Sequence, residues 1–146
     1  CGLGDDAEFI SRFVPEVTAF DISETAIAWA KERFANTKVK YMTANLFELA
    51  TSCDFVFESY TIQALPLDMR SRAVARLPEF MNPGGRLLLV ARGRENEQPL
   101  ADHPPWPLSR ADLSPLDAVL QTETFEDYVE GTDPGIRRFR ILYKKP

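Results

Sequence analysis

The sequence predicts an α/β fold: a doubly wound mixed sheet that closes on an antiparallel hairpin. Three observations carry this. Apolar residues switch repeatedly between helical and strand periodicity up to about residue 91. Strands that alternate with helices pair in parallel through right-handed crossovers, with helices on both faces. The last third changes character: two strand-like runs, 119–125 and 136–143, flank the turn-rich Glu130-Gly131-Thr132-Asp133-Pro134-Gly135, which reads as a hairpin.

The elements follow in order. Residues 5–13 start a helix, with acids in its first turn and Phe9, Ile10 and Phe13 on one face. Residues 16–20 form a short strand ending at Asp21. Ser23 caps a helix that runs to about Phe34, with Ala26, Ile27, Ala30 and Phe34 as its buried stripe. Residues 38–43 alternate as a strand with Val39 and Tyr41 on one side. Asp54-Phe55-Val56-Phe57 suits a strand covered on both faces. A helix spans about 67–81, and Pro78 inside it should bend or end it early. Asn82-Pro83-Gly84-Gly85 is a strong turn before a buried strand over 86–91. Residues 92–107 carry Pro99, Pro104, Pro105 and Pro107 and no periodicity, so they form a long loop of the kind that is usually functional. Ser109 and Asp112 fit a capping box.

Composition narrows the function. A chain of 146 residues is the size of one domain, here residues 1–146. Its 45% hydrophobic and 27% charged content is that of a globular fold rather than a disordered chain. Its longest apolar run, Leu87 to Ala91, is far below the ~20 residues of a membrane helix. The net charge of −5 argues against a nucleic-acid binder, which would normally present a basic face. Cys1 and Cys53 cannot make a disulfide framework, so a reducing cytoplasm is the expected compartment. No Cys/His spacing suggests a metal.

The opening Cys1-Gly2-Leu3-Gly4-Asp5-Asp6 is a glycine turn with no strand before it. The expectation is a domain whose first, central strand lies upstream and is missing from this sequence. Ligands on open α/β sheets bind at the carboxyl ends of the strands. That rule selects Gly2, Asp21, Ala44-Asn45 and Glu58-Ser59. Gly2-x-Gly4 opening a helix lets a ligand approach the backbone closely. Asp21, 17 residues after Gly4, has the position of a carboxylate that accepts from two vicinal ribose hydroxyls, or of a cap before Ser23. Asn45 could meet an adenine edge with its amide. The ligand these features suggest is nucleoside-bearing.

In this order the motifs resemble the class I S-adenosylmethionine-dependent methyltransferases, which are Rossmann-like. Cys1-Gly2-Leu3-Gly4 is similar to the tail of the family's first motif, and Asp21 to its acid after the second strand. Ala44-Asn45-Leu46-Phe47 matches the motif after the third strand, though many members carry an acid where this chain has Asn45. Cys53 to Glu58 resembles the fourth strand, and Pro83 to Val90 the Pro-Gly-Gly turn and fifth strand. The resemblance implies S-adenosylmethionine as cofactor, held by Cys1, Gly2, Gly4, Asp21, Ile22, Asn45, Leu46, Glu58 and Ser59. It also implies a small-molecule acceptor, contacted by Tyr60, Arg92 and Trp106. The stretches Tyr60 to Arg70 and His103-Pro104-Pro105-Trp106-Pro107-Leu108-Ser109 look like the thiopurine S-methyltransferase-like branch, whose proline-rich segment lies near the acceptor. The Asn/Asp-Pro-Pro-aromatic motif of base and glutamine methylation is absent, since that position reads Glu58-Ser59-Tyr60-Thr61.

Glu58 is the candidate catalytic base, needed only where the acceptor keeps its proton. A structural carboxylate bonding local backbone amides is an equal reading. His103 reads as a solvent-exposed loop residue, Cys53 as a small packed residue, and Arg137, Arg138 and Arg140 as a solvated strand face. Two alternatives stay open. A nicotinamide-dependent oxidoreductase would also use Gly2-x-Gly4-x-x-Ala7 and Asp21, and a non-catalytic module could keep the cofactor fold.

Overall fold

The computed structural model describes residues 1–100, 102–132 and 134–146. They fall into two compact units, Cys1–Leu49 and Ala50–Pro146.

The first unit contains helix α1 (Asp5–Ile10), strand β1 (Val17–Asp21), helix α2 (Glu24–Arg33) and strand β2 (Val39–Thr43). β1 and β2 pair in parallel, Val17 opposite Val39 and Asp21 opposite Thr43. α2 starts where Ser23 predicts, its hydroxyl oxygen accepting the Ala26 N–H at 3.2 Å. Ile27 and Ala30, one turn apart, bury against Ala7, Ala19, Val39 and Tyr41. Val39 and Tyr41 share a strand face as alternation requires. The helical face predicted for 5–13 is corrected. α1 stops at Ile10, and Phe9 and Phe13 are 58% and 72% exposed. Ala7 is the buried residue, and a residue two positions on lies about 200° around the helix. Burying Ala7 therefore turns Phe9 outward, where its ring meets Phe13 edge-on at 5.2 Å.

The second unit contains β3 (Cys53–Ser59), α3 (Thr61–Ala64), α4 (Leu67–Arg76), β4 (Met81–Arg92), α5 (Ser114–Asp117), β5 (Gln121–Glu130) and β6 (Ile136–Lys144). Its strands form a four-stranded mixed sheet in the order β3-β4-β6-β5. β3 and β4 are parallel, while β6 runs antiparallel to both β4 and β5. The mixed sheet and the terminal hairpin are thus as predicted, with longer strands. Asp133 of the hairpin turn and Ala101 of the long loop lie outside the described residues. Leu87, Leu89 and Ala91 of β4 stand opposite Tyr143, Ile141 and Phe139 of β6, and all six are buried. Cross-strand pairs of this kind hold the centre of the sheet.

α4 ends at Arg76, and residues 77–80 continue as a 3-10 turn. Pro78 lacks the N–H that an α-helix would use there. Asn82-Pro83-Gly84-Gly85 is a bulge within β4 rather than a turn before it. Cys53 pairs with Met81 and Phe55 with Arg86, so residues 82–85 bulge out opposite Asp54. A side chain at Gly85 would crowd the carbonyl oxygens of Asn82 and Asp54, so the close approach needs glycine. Asn82 donates to Asp54 at 2.9 Å across the bulge.

β3 corrects a second expectation. Its first residues Cys53, Asp54 and Phe55 are exposed, so it is not covered on both faces, and it lies at one end of the sheet order. Cys53 is correspondingly exposed rather than packed, its thiol donating to the Phe55 carbonyl at 3.1 Å. The arginines of β6 do not share one solvated face: adjacent Arg137 and Arg138 fall on opposite faces and are half-buried, Arg137 on the side of Phe139, and only Arg140 of the three is exposed. Arg137 pairs with Asp127 and Glu95, Arg138 with Glu130 and Arg140 with Glu126. Among the described residues, no helix is long and apolar enough to cross a membrane.

Candidate cofactor and acceptor site

In the first unit the structure brings Cys1, Gly2, Gly4 and Asp21 together. The Gly2 N–H donates to Asp21 Oδ2 at 2.8 Å, and the Cys1 nitrogen donates to the same oxygen at 2.9 Å. Asp21 Oδ1 accepts the Ser23 N–H at 3.0 Å. Burial pushes the Asp21 carboxyl up, but the donors around it, the Ser23 and Gly2 amides among them, hold it below the usual carboxylate range. Asp21 is therefore both an ionised acceptor and the tie between the glycine turn and the tip of β1. Two carboxylate oxygens offer about four acceptor positions, and three are taken here.

Gly4 adopts φ +89°, and a Cβ there would land on the Tyr41 hydroxyl. That hydroxyl donates towards the Gly4 carbonyl at 3.2 Å, which seats the turn on the unit's core. The Ala44 N–H donates to the Asp21 carbonyl at 2.9 Å, so the segment after β2 begins beside the Asp21 tip. Within it Asn45 accepts the Phe47 N–H and donates to Glu48, both at 3.0 Å. The Asn45 amide thus shapes its own turn. Leu46 beyond it is half-buried, and Ile22 is exposed.

In the second unit the candidates lie at the carboxyl ends of the parallel pair β3 and β4, where Ser59 faces Val90. Glu58 is buried, and its Oε1 accepts the Ile62 N–H at 3.0 Å. The structural reading of Glu58 is therefore realised on one oxygen. Its Oε2 is buried with no hydrogen-bond partner. Burial pushes the carboxyl up to about 7, against the pull of the Ile62 and Thr61 amides. Tyr60 has φ +65° and is the one non-glycine residue in that region among the described residues. Such outliers concentrate at functional sites. Its ring lies 5.7 Å from the Arg138 guanidinium.

Arg92 ends β4, and its Nε is buried without a partner. Trp106 is half-buried with its ring 5.3 Å from the Arg70 guanidinium. The long loop between them is closed at its base: Gly93 bridges Leu108, and the Leu108 N–H donates to the Arg92 carbonyl at 2.8 Å. Arg94 fills its interior, donating to the carbonyls of Glu95, Asn96 and Gln98 and pairing with Asp112 at 3.0 Å. Asp112 is also the acid of the capping box, accepting the Ser109 N–H at 2.7 Å. His103 is exposed.

Three residues escaped sequence reasoning: Gln63, Arg70 and Arg94. Gln63 is fully buried and Arg70 is 5% exposed, with its Nε unpartnered. A polar residue inside the apolar stretch Ile62 to Leu65 was the signal available for Gln63. Arg70 and Arg94 look like ordinary surface charges in the sequence, and only the path of the loop buries them.

In the first unit the residues present fit S-adenosylmethionine: an ionised carboxylate at a strand tip and a glycine turn that tolerates close approach. Comparison with known proteins agrees. A methyltransferase domain family model matches residues 1–85. A thiopurine S-methyltransferase of Vibrio parahaemolyticus is 33% identical over 115 residues, covering 67% of this chain and 53% of the relative. A thiopurine S-methyltransferase of Vibrio vulnificus is 25% identical over 116 residues, covering 78% and 52%. The chain spans about half the length of these relatives. Among solved structures, an S-adenosylmethionine-dependent methyltransferase of Methanosarcina mazei superposes with a TM-score of 0.80 at 21% identity, over 99% of this chain and 89% of that one. The family model covers more than half of the chain, and the chain belongs to the methyltransferase domain family.

Proposed function

We propose that the protein transfers the methyl group of S-adenosylmethionine to a small-molecule acceptor, and that residues 1–146 belong to one methyltransferase domain. The observation that carries this is the glycine turn tied to an ionised Asp21, the arrangement a ribose-bearing cofactor needs. Asp21 accepts from a ribose hydroxyl on Oδ1, which among the described residues carries only the Ser23 amide. Cys1, Gly2 and Gly4 present backbone close to the cofactor, and Ile22, Asn45 and Leu46 border its adenine. When bound, the cofactor supplies a methyl group on a sulfonium, ready for in-line displacement.

The chain's residues then orient and desolvate. Tyr60, Arg92 and Trp106 hold the acceptor. Near-attack positioning of this kind contributes on the order of 7–11 kcal/mol. Glu58 takes the acceptor's proton on Oε2 when the acceptor is protonated, and keeps the Ile62 amide on Oε1. A carboxyl raised to about 7 is close to the value a base at neutral pH needs.

A heteroaromatic thiol is the acceptor class to try first. The curated relatives from Vibrio carry the name thiopurine S-methyltransferase, and a structural neighbour from Burkholderia thailandensis is a 1,6-didemethyltoxoflavin-N1-methyltransferase. The free thiols Cys1 and Cys53 suit a reducing cytoplasm. The test is methyl transfer from radiolabelled S-adenosylmethionine to heteroaromatic thiols, heteroaromatic amines and, as a contrast, duplex DNA. Label in the thiols or amines supports the reading. Label in DNA alone, or in none of them, contradicts it.

A further inference from the structure

Gln63 is buried without any exposed surface, on a four-residue helix directly after the strained Tyr60. Its amide faces the two ends of the long loop. Oε1 accepts the Arg92 N–H at 2.8 Å. Nε2 donates to the Trp106 carbonyl at 3.0 Å and lies 3.4 Å from the Arg92 carbonyl. The Gln63 backbone carbonyl accepts the Trp106 N–H at 2.9 Å. One residue thus addresses both polar backbone groups of Arg92 and both of Trp106. Arg70 adds a second donor to the Trp106 carbonyl, at 3.3 Å.

A primary amide is the one side chain that offers an acceptor and a donor side by side in a plane. This matches the N–H and C=O edge of an extended peptide. In a site closed to water, an unmatched group here would cost more than an ordinary hydrogen bond gives. Gln63 directs its polar groups at residues 29 and 43 positions away in sequence, which a residue serving only its own helix would not do. We infer that Gln63 is a positioning residue: it clasps the two arms of the loop and so sets where Arg92 and Trp106 stand for the acceptor. The inference rests on the proposal that these two residues meet the acceptor.

The experiment uses the protein carrying Trp29→Phe, which leaves Trp106 as its one indole among the 146 residues of this chain. Gln63→Met keeps length and removes both polar ends. Gln63→Glu keeps an acceptor for the Arg92 amide but sets a carboxylate oxygen against two carbonyls. In both variants acrylamide should quench Trp106 more efficiently, while circular dichroism and a cooperative melt persist. With 6-mercaptopurine as acceptor, KM should rise about tenfold, or ~1.4 kcal/mol. The turnover number and S-adenosylmethionine Kd should stay within about threefold, or ~0.65 kcal/mol. That split separates positioning from general loosening. Unchanged Trp106 quenching in either folded variant overturns the inference. So does loss of the cooperative melt in both, which would make Gln63 a core residue and nothing more. If the parent protein does not methylate 6-mercaptopurine, the thiol proposal falls instead, and quenching alone decides the role of Gln63.

Discussion

The Gly2 N–H meets Asp21 Oδ2 at 2.8 Å, so the residue at the tip of β1 also builds the turn beside it. Asp21→Asn removes the charge but keeps an oxygen for one of the backbone donors. S-adenosylmethionine affinity should fall ~10- to 100-fold, since hydrogen bonds to a charged group are worth ~1.5–3 kcal/mol. The melting temperature should also drop, because the turn loses part of its anchor. Calorimetric titration and thermal melts measure the two effects. Unchanged affinity in a folded variant removes Asp21 from the site.

Glu58 makes a prediction about pH. Its carboxyl rises from an ordinary 4.5 to about 7 on folding. The folded state therefore binds the proton more tightly than the unfolded state. The stability this contributes is complete below pH 4.5 and is lost as pH rises to 7. At ~1.4 kcal/mol per unit the loss is about 3 kcal/mol. Glu58→Gln retains an oxygen for the Ile62 amide and cannot ionise. Its melting temperature relative to wild type should therefore be higher at pH 8 than at pH 4.5. The turnover number should rise through about pH 7 in wild type only. Parallel stability profiles for the two proteins would show that Glu58 does not titrate in this range.

Gly4 and Tyr41 should be coupled. A Cβ at residue 4 meets the Tyr41 hydroxyl at a backbone angle of φ +89°. Gly4→Ala should cost ~1–3 kcal/mol from overpacking alone, plus ~1–2 kcal/mol for the left-handed backbone. Tyr41→Phe removes the clashing oxygen and should restore part of the first cost. A double-mutant cycle read by denaturant unfolding measures the coupling. Strictly additive losses would place the two side chains apart.

Trp106 should act on the acceptor side. Trp106→Ala removes a ring held 5.3 Å from Arg70 on a loop whose base is closed between Gly93 and Leu108. Acceptor KM should rise about tenfold, with S-adenosylmethionine affinity within about threefold, or ~0.65 kcal/mol. Steady-state kinetics and titration separate the two. A large loss of cofactor affinity would assign the loop to the cofactor instead.

Much of this was legible in the residues. Ser23 capped its helix, Val39 and Tyr41 shared a face, Ser109 and Asp112 made their capping box, and the last two strands paired as a hairpin. Each depends on neighbours within a few positions, where periodicity and capping chemistry act. The misreadings depend on distant partners. Phe9 and Phe13 looked like a core face, but the helix turns Ala7 inward, into one buried cluster with Ile27 and Tyr41. Asp54 to Phe57 reads as a strand covered on both faces because its composition is apolar, yet Asp54 and Phe55 are exposed and Val56 and Phe57 only half-buried. Gln63 and Arg70 gain their partners only when the loop from Arg92 to Trp106 returns over them. The tie between the glycine turn and Asp21 joins residues that the motifs had already singled out, whereas nothing near Gln63 in the sequence signals its loop partners.

The central claim is that this chain holds the cofactor of its family. Calorimetric titration of the protein with S-adenosylmethionine and, separately, with NAD tests it most directly. Saturable binding of S-adenosylmethionine that Asp21→Asn weakens, with no heat from NAD, is the predicted result. Saturable binding of NAD with none of S-adenosylmethionine would contradict it.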